Sequence, residues 1–77
     1  QLTGYEPPPE LKLENSKLTW TVDGQLERRV LQNKGWSDWE LVKTTAREFV
    51  EDPQVKTAAY RLRTAKSDWS ATVYLRR

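Results

Sequence analysis

The stretch that decides the fold is Tyr60–Leu75, YRLRTAKSDWSATVYL. Tyr60, Leu62 and Thr64 fall on one face of a period-2 pattern, and Arg61 and Arg63 fall on the other. Beyond a tight polar turn across Lys66–Asp68, the residues Trp69, Ala71, Val73 and Leu75 resume the same spacing. A helix would scatter both sets around its axis, whereas antiparallel strands put each set on one sheet face. The spacing therefore predicts a hairpin with Tyr60, Leu62 and Val73 turned toward a core and the arginines turned outward. The remainder of the chain must supply the surface on which that hairpin packs.

Upstream, the same periodicity recurs in short runs. Leu11 and Leu13 alternate with Lys12, and Glu14–Ser16 reads as a turn. Leu18, Trp20 and Val22 alternate with Thr19 and Thr21, the clearest strand of the first half, which predicts all three apolar residues in the core. Asp23–Gly24 is a turn signal, because glycine accepts positive φ and aspartate bonds back to the backbone. Leu26–Gln32 reads as a third strand of open phase. Leu26, Arg28 and Val30 form one set, Glu27, Arg29 and Leu31 the other, and neither is cleanly apolar. A bulge between Arg28 and Val30 would redirect the later residues. Asn33–Gly35 closes this strand, Trp36–Asp38 leads onward, and Trp39, Leu41 and Lys43 alternate with Glu40 and Val42. Thr45–Glu48 has capping-box spacing, but no apolar stripe follows to anchor a helix. Phe49 and Val50 begin another extended piece, and Asp52–Pro53 stops it. About seven short strands separated by turns predict an all-β, seven-stranded antiparallel β-sandwich that is small and has short loops.

A chain of 77 residues supports one domain. Residues 1–9, which include Gly4 and the run Pro7–Pro9, read as an extended linker, and residues 10–77 as the sandwich. Gln1 in first position, followed by such a linker, is expected of a piece of a larger protein. The absence of Cys and His excludes a disulfide scaffold, a thiol nucleophile, a histidine base and a conventional structural zinc site. With 13 Lys+Arg against 11 Asp+Glu the chain is only mildly basic. Arg76–Arg77 is a basic tail, but no sustained positive run interleaves with the aromatics, so nucleic acid is not an expected partner. No apolar run is long enough to cross a bilayer as a helix, so no membrane partner is expected.

In order and spacing, these features resemble a fibronectin type III domain. The resemblance rests on the Pro7–Pro9 lead-in, on Trp20 within LTWTV, on Val55 followed by Tyr60, Leu62 and Thr64, on Trp39 within WELV, and on KSDWS at Lys66–Ser70. It spans residues 7–75, nearly the whole chain. The chain departs from the pattern in three places. Val55–Ala59, VKTAA, lacks the usual proline and glycine approach to the sixth strand, Leu26 lies where an aromatic is usual, and no Arg-Gly-Asp tripeptide occurs. The family implies a sandwich but does not choose among its many roles.

The chemistry-bearing residues point away from catalysis. Glu51 and Asp52 sit together beside Pro53 and read as a solvated turn. Asp38 and Asp68 each sit in a Ser-Asp-Trp triplet, where they and their serines are expected to satisfy turn N–H groups rather than hold a metal. No enzyme activity and no cofactor are expected. Arg61 and Arg63 should emerge on one sheet face and stack on Trp69, joined by Arg28 or Arg29, much as in some fibronectin type III-like cytokine-receptor domains that carry a tryptophan–serine motif. Arg28, Trp36, Arg61, Arg63 and Trp69 therefore form the candidate interaction surface. Trp36, beside Gly35 and outside the strand alternation, is the best placed to stack on a sugar. The expected role is a non-catalytic spacer or accessory module of an extracellular, surface or virion protein that positions neighbouring domains. The alternatives are a protein-interaction module and a carbohydrate-binding module.

Overall fold

The computed structural model describes residues 7–44 and 46–77. Within them the chain forms eight strands: β1 Lys12–Glu14, β2 Lys17–Thr19, β3 Gln25–Gln32, β4 Gly35–Trp36, β5 Glu40–Val42, β6 Glu48–Val50, β7 Thr57–Arg63 and β8 Val73–Arg76. They assemble into two antiparallel sheets. One has the order β1-β2-β6, and the other has β4-β3-β7-β8 with β5 also paired to β3. The result is an all-β, two-sheet domain of sandwich character, as the period-2 pattern predicts. The count rises from seven to eight because the edge beside β3 is interrupted. β4 pairs with Leu31–Gln32 and β5 with Leu26–Arg28 of the same strand.

The pairing of β3 with β7 settles the open phase. The register runs without a bulge from Gln25↔Arg63 to Val30↔Ala58. Directly opposed residues share a face, so Leu26, Arg28 and Val30 lie with Leu62, Tyr60 and Ala58 on the inner side. Glu27 and Arg29 lie with Arg61 and Ala59 on the outer side. The hairpin of β7 and β8 continues this division, with Tyr60 opposite Val73 and Ala58 opposite Leu75 inside, and Ala59 opposite Tyr74 outside.

Leu18, Tyr60 and Leu62 are wholly buried, and Leu11, Trp20, Leu26, Ala58 and Leu75 complete the core. Val73 and Val55 are half-buried against it. Phe49 of β6 meets Tyr60 of β7 at 6.4 Å between ring centroids, a contact that joins the two sheets. Each fully buried leucine contributes on the order of 2 kcal/mol.

Three expectations are corrected here. Val22, expected in the core, is 40% exposed. The ladder stops at Thr19, and the Trp20 N–H still bonds the Arg47 carbonyl at 3.1 Å. The chain then bends at Thr21–Val22, where Arg47 Nη1 holds the Thr21 carbonyl at 2.8 Å. Alternation therefore fails one residue before Val22. Second, Gly24 is needed for close approach rather than for positive φ. A Cβ there would stand 2.7 Å from the Arg63 carbonyl oxygen and 3.2 Å from Leu62 Cδ1. Positive φ occurs instead at Asn15, in the turn between β1 and β2, and at Gly35, the first residue of β4. Third, Trp69 does not share the inward face with Val73, because the second strand of the hairpin begins only at Val73. The capping-box reading involves Thr45, which lies outside the described residues, and Glu48 opens β6. The linker expectation for residues 1–6 also lies outside them, while Pro7–Pro9 belong to no strand. No helix among the described residues is long and apolar enough to cross a membrane.

Candidate functional site

Two arginine-centred constructions occupy opposite faces of the β3–β7 pair. On the outer face, rings and guanidiniums alternate. Arg29 lies over Trp36 at 4.9 Å and Trp39 at 4.8 Å from the ring centroids. Arg61 lies over Trp39 at 4.3 Å and Trp69 at 4.2 Å, and Arg63 lies over the same Trp69 at 4.5 Å. The stack reads Trp36, Arg29, Trp39, Arg61, Trp69, Arg63. Tyr74 extends it by an edge contact to Trp36 at 6.2 Å and carries Arg76 at 5.5 Å. Each such pair adds about 0.5–2 kcal/mol, more as water is excluded from it.

The tryptophans reach this face because serine side chains replace strand carbonyls. Ser37 N–H donates to the Val30 carbonyl at 2.9 Å, while Ser37 Oγ accepts the Val30 N–H at 2.9 Å. Ser70 does the same with Leu62, donating at 2.7 Å and accepting at 3.0 Å. Ser67 closes the tight turn with Thr64 in the same way, and there its Oγ accepts at 2.9 Å. In all three, Oγ also donates to the carbonyl of the next residue. A serine used in this way keeps the central strand bonded and frees its own backbone to leave the regular pleat. That is why the alternation expected from Trp69 to Leu75 breaks, and why β4 and β5 are separate strands. Asp68 Oδ1 accepts the Trp69 N–H at 2.8 Å, the turn role expected of it.

Of the sequence-predicted surface, Trp36, Arg61, Arg63 and Trp69 come together in this ladder. Arg28 does not. Its place is taken by Arg29, the next residue, because β3 runs unbulged and Arg28 faces inward. Trp39, Tyr74 and Arg76 complete the outer row. The outward parity of Tyr74 and Arg76 follows from Val73 and Leu75 facing in, so that signal was present in the sequence.

Arg61 is held from a further direction. Its Nε and Nη2 donate to Glu27 Oε1 at 2.9 and 2.6 Å, and Glu27 is its direct cross-strand partner. Both faces and one edge of that guanidinium are thereby engaged. Arg29 has both faces covered but, among the described residues, no carboxylate pairs with it. Its buried Nε has no hydrogen-bond acceptor.

On the inner face, Arg28 grips Glu51 through two parallel bonds, Nε to Oε1 at 2.7 Å and Nη2 to Oε2 at 2.9 Å. The Tyr60 hydroxyl donates to Oε1 at 2.6 Å, and the Asp52 N–H to Oε2 at 2.9 Å. Glu51 is buried, so the expectation that it lies in a solvated turn is corrected; only its neighbour Asp52 is exposed. Burial alone would push the Glu51 carboxyl up, but the bonds from Arg28, Tyr60 and the Asp52 N–H, with the Arg28 charge, outweigh it and hold the group below its ordinary 4.5. Burial, and then the bond to Glu51, push the Tyr60 phenol well above its ordinary 10.0. The bond to Glu51 likewise raises Arg28. Every oxygen of this carboxylate is occupied, so it is neither a free base nor a ligand. Among the described residues, no group of three Asp, Glu, His or Cys is placed to hold a metal ion.

Comparisons of the chain with protein-family models, with curated proteins and with solved structures give no match. The fold and the ladder therefore rest on the geometry itself.

Proposed function

We propose that the chain is a non-catalytic module of the fibronectin type III kind, a spacer or accessory domain of a larger extracellular, surface or virion protein that fixes the position of its neighbours. The observation that carries this reading is how the charged and aromatic residues are used. Arg28, Glu51 and Tyr60 are consumed in a closed network, and Arg61 is locked between two rings and a carboxylate. Side chains bound on every side stiffen a small domain, and stiffness is what a positioning module requires. The 3+5 arrangement of two antiparallel sheets is consistent with the family's sandwich.

The test is mechanical. The chain is expressed between two fluorescent reporter domains, and single-molecule energy transfer gives the distribution of distances between them. A positioning module gives a narrow distribution, and Glu51→Ala broadens it. A parent distribution as broad as that of a Gly/Ser linker of equal length refutes the reading.

A further inference from the structure

The ladder is clamped at its middle arginine, Arg61, and lacks such a clamp at Arg29, next to its Trp36 end. The clamped rung, Arg61, shows what completes such a site: once both faces of a guanidinium are covered by indole rings, only its N–H edge is left, and Glu27 fills that edge. The neighbouring rung, Arg29, is built the same way on its faces and lacks the carboxylate. Of the four guanidiniums on the outer face, Arg29, Arg61, Arg63 and Arg76, only Arg61 forms an ion pair among the described residues, with Glu27. Around the open rung the surface is apolar. Leu31, directly opposite Trp36 in the register, is 45% exposed, Trp36 37% and Tyr74 46%.

We propose that this open end, formed by Arg29, Leu31, Trp36, Tyr74 and Arg76, is a docking face for an acidic polypeptide segment in which carboxylates alternate with apolar side chains. Charge complementarity selects the acidic part. A carboxylate at the Nη end of Arg29, whose Nε is buried, supplies the charged partner that Glu27 supplies to Arg61, and a second meets Arg76. The exposed Leu31, Trp36 and Tyr74 select the apolar part, and they also select polypeptide over a sulfated sugar chain, which has nothing apolar to set against Leu31. Trp, Tyr and Arg clustered around a desolvated centre are the residues that carry most of the affinity in protein interfaces. The face stands whether or not the domain also serves as a spacer.

The experiment titrates the whole chain with four probes: a short Glu/Leu/Phe peptide, its Lys/Leu/Phe charge reversal, its Glu/Ser counterpart, and a sulfated oligosaccharide. Binding is read by tryptophan fluorescence and by the NMR resonance of the Arg29 Nε–H. The Glu/Leu/Phe peptide is expected to bind, to move the Arg29 signal more than that of Arg61, and to weaken as salt is raised. Both peptide controls are expected to be weaker by about tenfold or more. Leu31→Ser, at an exposed position that leaves the fold intact, is expected to weaken the Glu/Leu/Phe peptide several-fold, and Arg29→Gln by about tenfold with an unchanged circular dichroism spectrum. Equal binding of the charge-reversed peptide overturns the proposal, as does tighter binding of the oligosaccharide that ignores Leu31→Ser. Concentration-dependent self-association that moves the same signals without any probe also overturns it, since the occupant is then a second copy of the chain. Absence of binding at millimolar peptide overturns it outright.

Discussion

Replacing Glu51 by alanine tests the inner network most directly. The substitution strands two donors at once. Tyr60 is wholly buried, so its hydroxyl loses its acceptor with no access to water, which costs about 1–3 kcal/mol. Arg28 loses both of its charged bonds, but about a quarter of its side chain is exposed (24%), so part of its charge is rehydrated. The Asp52 N–H sits at an exposed residue and turns to water. Breaking one side of a fully buried ion pair costs about 3–5 kcal/mol, and the exposure of Arg28 places this case near the lower bound, at about 3 kcal/mol. A chain of this length has roughly 4–12 kcal/mol of stability, so the loss is a large share of it and lowers Tm by about 12–24 °C.

Urea denaturation followed by tryptophan fluorescence measures the difference, and the combined variant Arg28→Met, Glu51→Leu, Tyr60→Phe separates charge from packing. With all polar members removed together, no group is stranded, and stability is expected to return to within about 1 kcal/mol of the parent. A loss below about 1 kcal/mol for Glu51→Ala refutes the reasoning. So does a combined variant as unstable as the single one, because the cost would then lie in shape and not in unpaired charge.

Three further outcomes follow from the geometry. The Glu51 carboxyl is held below its unfolded value, so its contribution is present above about pH 4.5 and is lost as pH falls through the lower folded value; Tyr60 is held above its ordinary 10.0, so stability also declines as pH rises past that point, and acid and alkaline melting curves of the parent should show both slopes, with Glu51→Gln flattening the acid one. Gly24→Ala drives a methyl to within 2.7 Å of the Arg63 carbonyl and should cost about 1–3 kcal/mol in a thermal melt, while the same change at a merely flexible turn would cost less. Ser70→Ala takes away the acceptor of the buried Leu62 N–H and should cost about 1–2 kcal/mol, with the Leu62 amide exchanging faster in a hydrogen-exchange measurement and the Thr64 amide, bonded to Ser67, unchanged.

The strand alternation was legible wherever one face is apolar and the other polar. Tyr60 and Leu62 in β7, with Leu75 in β8, are buried as their spacing demands, and Leu18 and Trp20 likewise. The phase of β3 was not legible, because Arg28 and Arg29 put a cation on each face and period-2 counting cannot rank them. Only the register with β7, which sets Arg28 beside Tyr60 and Arg29 beside Ala59, decides it. Glu51 was missed for a related reason. Its partners lie 23 and 9 residues away in the chain, and a lone glutamate before Asp-Pro has the local look of a turn. Val22 followed the alternation one residue too far, because the Arg47 anchor that bends the chain comes from a distant segment.

The repeated Ser-Asp-Trp triplet, which looked like a turn echo, is the device that builds the ladder. Ser37 bonds β3 at Val30 and Ser67 bonds the end of β7 at Thr64, so each triplet is pinned to an opposite flank of the central strand pair. Two residues on, Trp39 and Trp69 meet over the same guanidinium, Arg61, at 4.3 and 4.2 Å. The two flanks of the sheet are thus tied through one side chain, and Glu27 keeps that side chain from turning away. Arg29 has Trp36 and Trp39 from one flank only and no carboxylate. The sheet therefore ties its outer face together at Arg61 and, among the described residues, leaves Arg29 beside Trp36 without a carboxylate.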